Sequence, residues 1–291
     1  MTRREFCAAA TAAAAPAPWA DRLGILCQLG STEKTARETL AAARAAGFRR
    51  GMVNFAWDKV DAGFLRSLPG WVRGEGFQCD ALGAYVNCLE PSVVLMNTRR
   101  EDFERALQYA AELGSRRLVA WTGSYNANLM ASDPRNFARD SESKILRFLD
   151  PCLPRLTKAR LELALETYVT LACPDAPSLR RLLDRLPESV GAVLDPPNLT
   201  PPARYAERDA VLGEITKALE SRVAIVHLKD FRLAKDGKSY DLPGPMMGEM
   251  NYRLFADKIR ALPQGVPVVA EHLSPGEFAA ARSGLLTLFG A

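Results

Sequence analysis

The chain alternates between short apolar runs and longer segments in which apolar residues recur every three or four positions. There are eight of the short runs, and most have the continuous apolar character of strands that are covered on both faces. The spacing in the longer segments predicts helices, among them 99–113, 175–186 and 203–219. Another helix is expected to have Ser31 as its cap and to end before Gly47. The strand-like runs are 23–29, 49–55, 81–88, 117–122, 161–168, 191–195, 223–228 and 266–271.

The number and order of these runs predict the fold class. Eight strands that alternate with helices over about 270 residues are typical of an α/β protein with a single (β/α)8 TIM barrel. A doubly wound open sheet is the alternative arrangement of the same elements. The usual signal for dinucleotide binding is missing, because no GxGxxG sequence follows the first run.

The first twenty residues differ from the rest of the chain. In MTRREFCAAATAAAAPAPWA, Arg3 and Arg4 precede an Ala-rich, weakly apolar stretch, which is the arrangement of an export signal. The arginine pair also resembles the twin-arginine signal of bacteria. We therefore expect residues 1–20 to be a twin-arginine export signal, residues 21–291 to form the barrel, and the protein to be periplasmic or otherwise exported. A disordered terminus on a cytoplasmic protein is the alternative.

Charge and cysteine content narrow the classes of partner. The chain has 38 basic and 34 acidic residues, and its net charge of +4 is spread without a long basic run, which argues against nucleic acid. No apolar stretch approaches the roughly 20 residues that span a bilayer, so no stable membrane anchor is expected.

The six cysteines form no CxxC pair and are expected to be buried thiols, with a disulfide left open in the periplasm. A homo-oligomer is also left open.

The last four apolar runs each end near a residue that can bind a metal. These residues are Glu166, Asp195, His227 and Glu271. In a parallel barrel the ends of all strands lie on one face, so the four side chains are expected to converge. Three crowded carboxylates raise each other's pKa, and a divalent cation removes the repulsion. A site rich in oxygen ligands with one imidazole suits Mn²⁺, Mg²⁺ or Co²⁺, with Zn²⁺ as a further candidate.

The motifs around these residues resemble those of the xylose isomerase-like TIM-barrel superfamily, the sugar phosphate isomerase and epimerase family in the fold group of AP endonuclease family 2. The matching motifs are LALETY, VLDPPN, VHLKD and VVAEH at the strand ends, with GAYVNCLEP and WTGSY in loops. The resemblance implies one divalent metal held by Glu166, Asp195, His227 and Glu271. It further implies that Glu166 and Glu271 act as acid and base beside a carbonyl, through a metal-stabilised enediolate.

The sequence departs from the epimerases after the sixth run. They have a histidine shortly after the aspartate, whereas Asn198 occupies this region here and can hydrogen-bond a hydroxyl but cannot titrate. Lys229 is a candidate to stabilise an oxyanion, with a salt bridge at the barrel mouth as the alternative. The segment 243–252 resembles the family's Gly-rich loop and is a candidate lid.

Several other side chains at the predicted mouth are candidates to contact a substrate, each weighed against ordinary packing. An aromatic ring can stack on the C–H face of a sugar, and an amide or guanidinium can bind its hydroxyls. His272 is expected to point away from Glu271, because neighbouring residues of a strand alternate between its two faces. The candidate substrate-binding residues are Asn87, Trp121, Tyr168, Asn198 and Arg232.

The favoured function is therefore a metal-dependent isomerase or epimerase whose partner is a small sugar or polyol. The first alternative is a lyase or dehydratase of the same fold that acts on keto-sugars, inososes or 3-keto-glycosides. The second alternative is a non-catalytic sugar-binding protein. DNA repair on the same barrel is disfavoured, because that site needs several histidines and the chain has two.

Overall fold

The computed structural model describes residues 19–96 and 98–290. Eight parallel strands form a closed barrel in which β1 pairs with both β2 and β8, so the predicted TIM barrel is confirmed. The strand bounds lie within a few residues of the apolar runs. The strands are β1 (Leu23–Gln28), β2 (Arg50–Asn54), β3 (Gln78–Asn87), β4 (Arg117–Trp121), β5 (Glu162–Glu166), β6 (Val190–Leu194), β7 (Val223–Leu228) and β8 (Val268–Ala270).

Helices surround the barrel, and the longer ones bury one apolar face each. In α4, Phe103, Leu107 and Ala110 are buried, as their spacing predicted, and Gly114 ends the helix in a left-handed conformation. The helices are α1 (Trp19–Arg22), α2 (Glu33–Ala45), α3 (Ala62–Gly74), α4 (Arg100–Leu113), α5 (Ser141–Leu149), α6 (Leu153–Ala159), α7 (Ala176–Asp184), α8 (Pro196–Leu199), α9 (Arg208–Leu219), α10 (Tyr252–Arg260) and α11 (Phe278–Phe289).

Two helix starts differ from the sequence prediction. Thr32, not Ser31, caps α2, because its hydroxyl accepts a hydrogen bond of 3.2 Å from the amide of Thr35 and the Thr35 side chain bonds back to the amide of Thr32. The predicted helix 203–219 begins later, at Arg208, because the proline-led stretch before it, Pro202–Glu207, forms a tighter 3-10 turn.

The core has two apolar layers. The larger layer lies between the barrel and the helices, and the smaller one fills the inside of the barrel. The strands are therefore apolar on both faces, which explains why their sequences are continuous apolar runs. The described cysteines are buried free thiols, as expected: Cys27, Cys79, Cys88, Cys152 and Cys173.

The expected export signal falls largely outside the described residues, which begin at Trp19. Trp19 stacks on Phe289 of the last helix, with 4.0 Å between the ring centroids, so the described start of the chain packs against its end. Over the two described ranges, no helix combines the length and the apolar character needed to cross a membrane.

Candidate metal and active site

The carboxyl ends of strands β5 to β8 bring five ionisable side chains into one buried site. Glu166 closes β5 and Asp195 directly follows β6, while His227 lies in β7. Lys229 comes just after β7, and Glu271 comes just after β8. All five residues are at most 4% exposed, so each charge has left water and depends on the others for stabilisation.

Three of these residues form a group with metal-binding geometry. One ligand atom each from Glu166, Asp195 and His227 lies within 4.8 Å of the other two. His227 is fully buried, and its Nε2 makes no hydrogen bond, while its Nδ1 lies 3.1 Å from Oε2 of Glu271. A buried imidazole nitrogen without a partner is uncommon and is suited to bind a cation. Two carboxylates and one imidazole therefore fit a divalent metal ion.

Glu271 contacts this group through the two cationic side chains. Its Oε2 lies 3.1 Å from Nδ1 of His227, and its Oε1 lies 2.8 Å from Nζ of Lys229. The ammonium of Lys229 also forms a close ion pair with Oδ2 of Asp195. The salt bridge, one of the two roles expected for Lys229, is therefore observed. Glu271 as the fourth metal ligand stays a prediction.

Glu166 is held in place by two neutral donors. Asn198 donates from Nδ2 to Oε1 of Glu166 at 2.9 Å, and the Tyr85 hydroxyl donates to Oε2 at 3.2 Å. Asn198 reaches this position because Asp195 caps α8 and accepts a hydrogen bond of 3.3 Å from the Asn198 amide. Both oxygens of Glu166 are thus fixed by residues that cannot take its proton at neutral pH.

Tyr85 was not among the residues predicted for the site. It lies two residues before the end of β3 and belongs to the apolar cluster inside the barrel, so the search for polar residues at strand ends did not include it. The alternation of faces along β3 would have identified Tyr85. It is two residues before Asn87 and four after Ala81, so the three side chains are expected on the same face of the strand.

The surroundings push the pKa values of the two glutamates in opposite directions. Burial raises the pKa of Glu166 to about 7, even though the positive charges of His227 and Lys229 act against this. Burial also acts to raise the pKa of Glu271, but Lys229 and His227 outweigh it and hold that pKa well below its usual value. One glutamate can therefore carry a proton near neutral pH while the other stays ionised, which is the division found in acid–base pairs.

Two of the other three buried groups, His227 and Asp195, have pKa values that are shifted by burial and by the same charges. Burial lowers the pKa of His227, but the carboxylates of Glu271 and Glu166 raise it more, to about 9. Burial raises the pKa of Asp195, in part against the ammonium of Lys229. Mutual charge stabilisation of this kind is what a metal ion would replace.

Two predicted aromatic contacts lie beside the site. Trp121 pairs in register with Glu166 across β4 and β5, and its ring packs on Tyr85 with 5.1 Å between centroids. The indole Nε1 of Trp121 is buried and has no hydrogen-bond partner in the described structure. Tyr168 is buried in the same inner cluster. Substrate contact by both residues stays a prediction.

The remaining predicted contacts are engaged elsewhere. Asn87 is fully buried, and its amide donates to the carbonyls of Ser124 and Val93 at 2.6 and 3.0 Å. Its Oδ1 accepts from the amides of Ser124 and Glu90, so Asn87 braces two loops. Arg232 is exposed and donates to the carbonyl of Met247.

His272 does not point away from Glu271, so that expectation was wrong. Strand β8 ends at Ala270, and His272 has a left-handed backbone with φ of 59°, which breaks the alternation. Its Nε2 lies 3.8 Å from Oε1 of Glu271, and its Nδ1 lies 2.7 Å from the carbonyl of Leu242.

The segment that follows β7 is tied to the barrel by Asp230. This buried carboxylate accepts hydrogen bonds from the amides of Phe231 and Met250 at 2.7 and 2.9 Å. The Tyr252 hydroxyl donates to the carbonyl of Lys229 at 2.9 Å. The backbone around Lys229 is therefore fixed, and lid movement of 243–252 stays a prediction.

Comparison with known proteins agrees with the fold. A family model described as xylose isomerase-like TIM barrel matches residues 40–287. No curated protein matches the sequence. The IolI protein solved with a zinc atom is 14% identical, over 92% of this chain and 98% of that one, with a TM-score of 0.68.

Two further solved structures have similar values. The 3-keto-D-glucoside 4-epimerase from E. coli is 15% identical, over 93% of this chain and 99% of that one, with a TM-score of 0.64. A xylose isomerase-like TIM barrel protein from Mycobacterium smegmatis, in complex with magnesium, is 13% identical, over 89% of each chain, with a TM-score of 0.64. At these identities the likeness shows a shared fold.

Proposed function

The chain belongs to the xylose isomerase-like TIM barrel family, and from that premise we propose that it is a divalent-metal-dependent isomerase or epimerase of a sugar or polyol. The observation that carries the proposal is the pair Glu166 and Glu271, two buried carboxylates with pKa values moved apart at one group of metal-binding side chains. A protein that only binds sugar needs no such acid–base pair.

The metal would be held by Glu166, Asp195 and His227, with Glu271 as the expected fourth ligand. The buried Nε2 of His227, which has no hydrogen-bond partner, supports this set. When bound, a divalent ion supplies Lewis-acid polarisation of a substrate carbonyl. Relatives solved with zinc and with magnesium support a metal, and Mn²⁺ or Co²⁺ fits the same donors.

The two glutamates would exchange a proton with the carbon next to the carbonyl. Glu271 is ionised and is the proposed base that removes the proton. Glu166, whose pKa burial raises to about 7 when no metal is bound, is the proposed acid that returns one. In epimerisation one proton leaves the substrate carbon and one is delivered to the opposite face of the same carbon, so the substrate neither gains nor loses atoms. Lys229 would donate a hydrogen bond to the substrate oxygen on which charge develops.

The remaining side chains would orient the substrate. Asn198 and Tyr85 fix the carboxyl of Glu166, so its proton is delivered from one position. The rings of Trp121 and Tyr168 are the proposed surface for the C–H face of a sugar, and the free indole N–H of Trp121 would donate to a hydroxyl. Arg232 is proposed at the edge of the site, whereas Asn87 braces two loops and has no donor left for a substrate.

Incubation in heavy water tests the proposal. The protein is loaded with Mn²⁺ and given a panel of ketoses, inososes and 3-keto-glycosides. We expect deuterium to enter one substrate at the carbon next to the carbonyl, because the base exchanges its proton with solvent. Absence of uptake from every substrate, with Mn²⁺ bound, would contradict an enzyme of this class and favour a sugar-binding protein.

A lyase or dehydratase acting on a keto-sugar, inosose or 3-keto-glycoside is the second candidate. The observation that favours it is Asn198, which stands where the resemblance leads us to expect a histidine and binds Glu166 instead of titrating. Both reactions begin with removal of the same proton. Mass spectrometry of the product separates them, since an isomer keeps the substrate mass and a lyase product loses water or an aglycone.

A further inference from the structure

Asp195 and Glu271 share one ammonium group in the buried site. Nζ of Lys229 lies 2.8 Å from Oε1 of Glu271 and forms a closer ion pair with Oδ2 of Asp195. Lys229 is 2% exposed, so these two carboxylates replace the water that its charge would otherwise bind.

This ammonium lies among the side chains that would bind a metal. Asp195 belongs to the three-residue metal-binding group, and Glu271 is its expected fourth ligand. An ammonium is a compact point charge with three donors, so it resembles a cation in what it offers to carboxylates. Its contact with Oδ2 of Asp195 occupies an oxygen on the residue that a metal would use.

We propose that Lys229 is a built-in counter-cation, and that a divalent metal ion competes with its ammonium for Asp195 and Glu271. The inference rests on the proposed metal site. Two positive charges a few ångströms apart in a buried site repel, so the metal gains its full affinity only when the ammonium moves away. The hydrogen bond from Tyr252 to the carbonyl of Lys229 fixes the backbone, so the side chain does the moving.

Because of this competition, a bound metal decides whether the ammonium of Lys229 is available to a substrate. Before a metal binds, the donors of Lys229 are used by Asp195 and Glu271. Once a metal neutralises these carboxylates, the ammonium is released and can donate to a substrate oxygen. Lys229 would thus keep the acidic site folded without a metal and become a substrate contact with one.

Titration calorimetry with Mn²⁺ at fixed pH tests the competition. Lys229→Met removes the charge. Lys229→Gln also removes the charge but keeps hydrogen-bond donors, so it can be measured if the first variant folds poorly. We expect both to bind Mn²⁺ about tenfold or more tightly than the unaltered protein, because a repelling charge and a competitor are gone. The chelator-treated variants are expected to melt several degrees lower, since Asp195 and Glu271 then lose their counter-cation.

Lys144→Met is the matched control. Lys144 also pairs with an aspartate, its Nζ lying 2.8 Å from Oδ2 of Asp140, but it is part of helix α5 and outside the site. We expect its Mn²⁺ affinity to equal that of the unaltered protein.

The outcomes separate this inference from the proposed function. Tighter binding by both Lys229 variants with no deuterium uptake in heavy water would support the counter-cation and overturn the enzyme. Mn²⁺ binding by the two Lys229 variants but not by the unaltered protein would also support the counter-cation, because the ammonium of the unaltered protein would then exclude the metal. Equal or weaker binding by both Lys229 variants, or no binding by these variants and by the unaltered protein, would overturn it.

Discussion

The hydroxyl of Tyr85, near the carboxyl end of strand β3, donates a 3.2 Å hydrogen bond to Oε2 of Glu166 at the end of β5. The bond crosses the inside of the barrel and connects the apolar interior to the proposed acid. The ring of Tyr85 also packs on Trp121, so one residue supports both the proton donor and the proposed sugar-stacking surface.

Tyr85→Phe is expected to lower kcat about tenfold, with KM little changed. The substitution removes one hydrogen bond to Glu166, worth about 1.4 kcal/mol, and keeps the ring against Trp121. Steady-state kinetics on the substrate found in heavy water measures the effect. Tyr109→Phe is the matched control, since it loses a hydroxyl bond of 2.7 Å to the Leu65 carbonyl outside the site and should keep its kcat. Equal effects in the two variants would contradict a specific role of Tyr85.

Glu166→Gln and Glu271→Gln are each expected to lower turnover about 10²- to 10⁴-fold, because an amide cannot exchange the proton. The measurement is deuterium uptake under conditions where Mn²⁺ binding has been verified. Glu162→Gln is the control at the other end of the same strand, where the carboxylate pairs with Arg117 at 2.7 Å. Unchanged turnover in Glu166→Gln with metal bound would refute the proposed acid.

Gly123→Ala is expected to destabilise the protein by more than about 2 kcal/mol. Gly123 has φ of 113°, and an added Cβ would clash with Oδ1 of Asn87 and lie 2.6 Å from the amide of Leu89. Denaturant unfolding measures the loss. Gly213→Ala is the control within helix α9, where a Cβ meets no neighbour, and should stabilise by about 0.5–1 kcal/mol. A stable Gly123→Ala would argue against Asn87 as a loop brace.

Replacement of Arg3 and Arg4 by lysine is expected to abolish export in a bacterial host that has the twin-arginine pathway. The reason is that the proposed signal depends on the arginine pair. Cell fractionation followed by immunoblotting measures it. Lysine at the exposed positions Arg66 and Arg73 controls for charge-conserving changes elsewhere. Periplasmic protein in the Arg3 and Arg4 variant would contradict the signal.

The fold was predictable because a parallel barrel buries both faces of every strand. Run 223–228 became β7 (Val223–Leu228) with the same bounds, and it could be recognised without any tertiary information. The convergence of Glu166, Asp195 and His227 followed from the same geometry, since polar residues at the ends of such strands share one face.

The details that were missed depend on backbone angles and on pairing. The direction of His272 follows from a left-handed backbone that no residue type in VVAEH announces. The sequence left two roles open for Lys229, and the described salt bridge to Asp195 and Glu271 follows from distances across three strands. Tyr85 was missed because it lies four residues inside an apolar run, where packing is the usual role of a tyrosine.

The central claim is that Glu166, Asp195 and His227 hold a divalent cation. Pulsed electron paramagnetic resonance of the Mn²⁺-loaded protein tests it directly, because an imidazole ligand couples its nitrogen to the manganese electrons. The account predicts a nitrogen coupling in the unaltered protein that disappears in His227→Asn, while His272→Asn retains it. Bound Mn²⁺ without nitrogen coupling, or a coupling that survives in His227→Asn, would contradict the account.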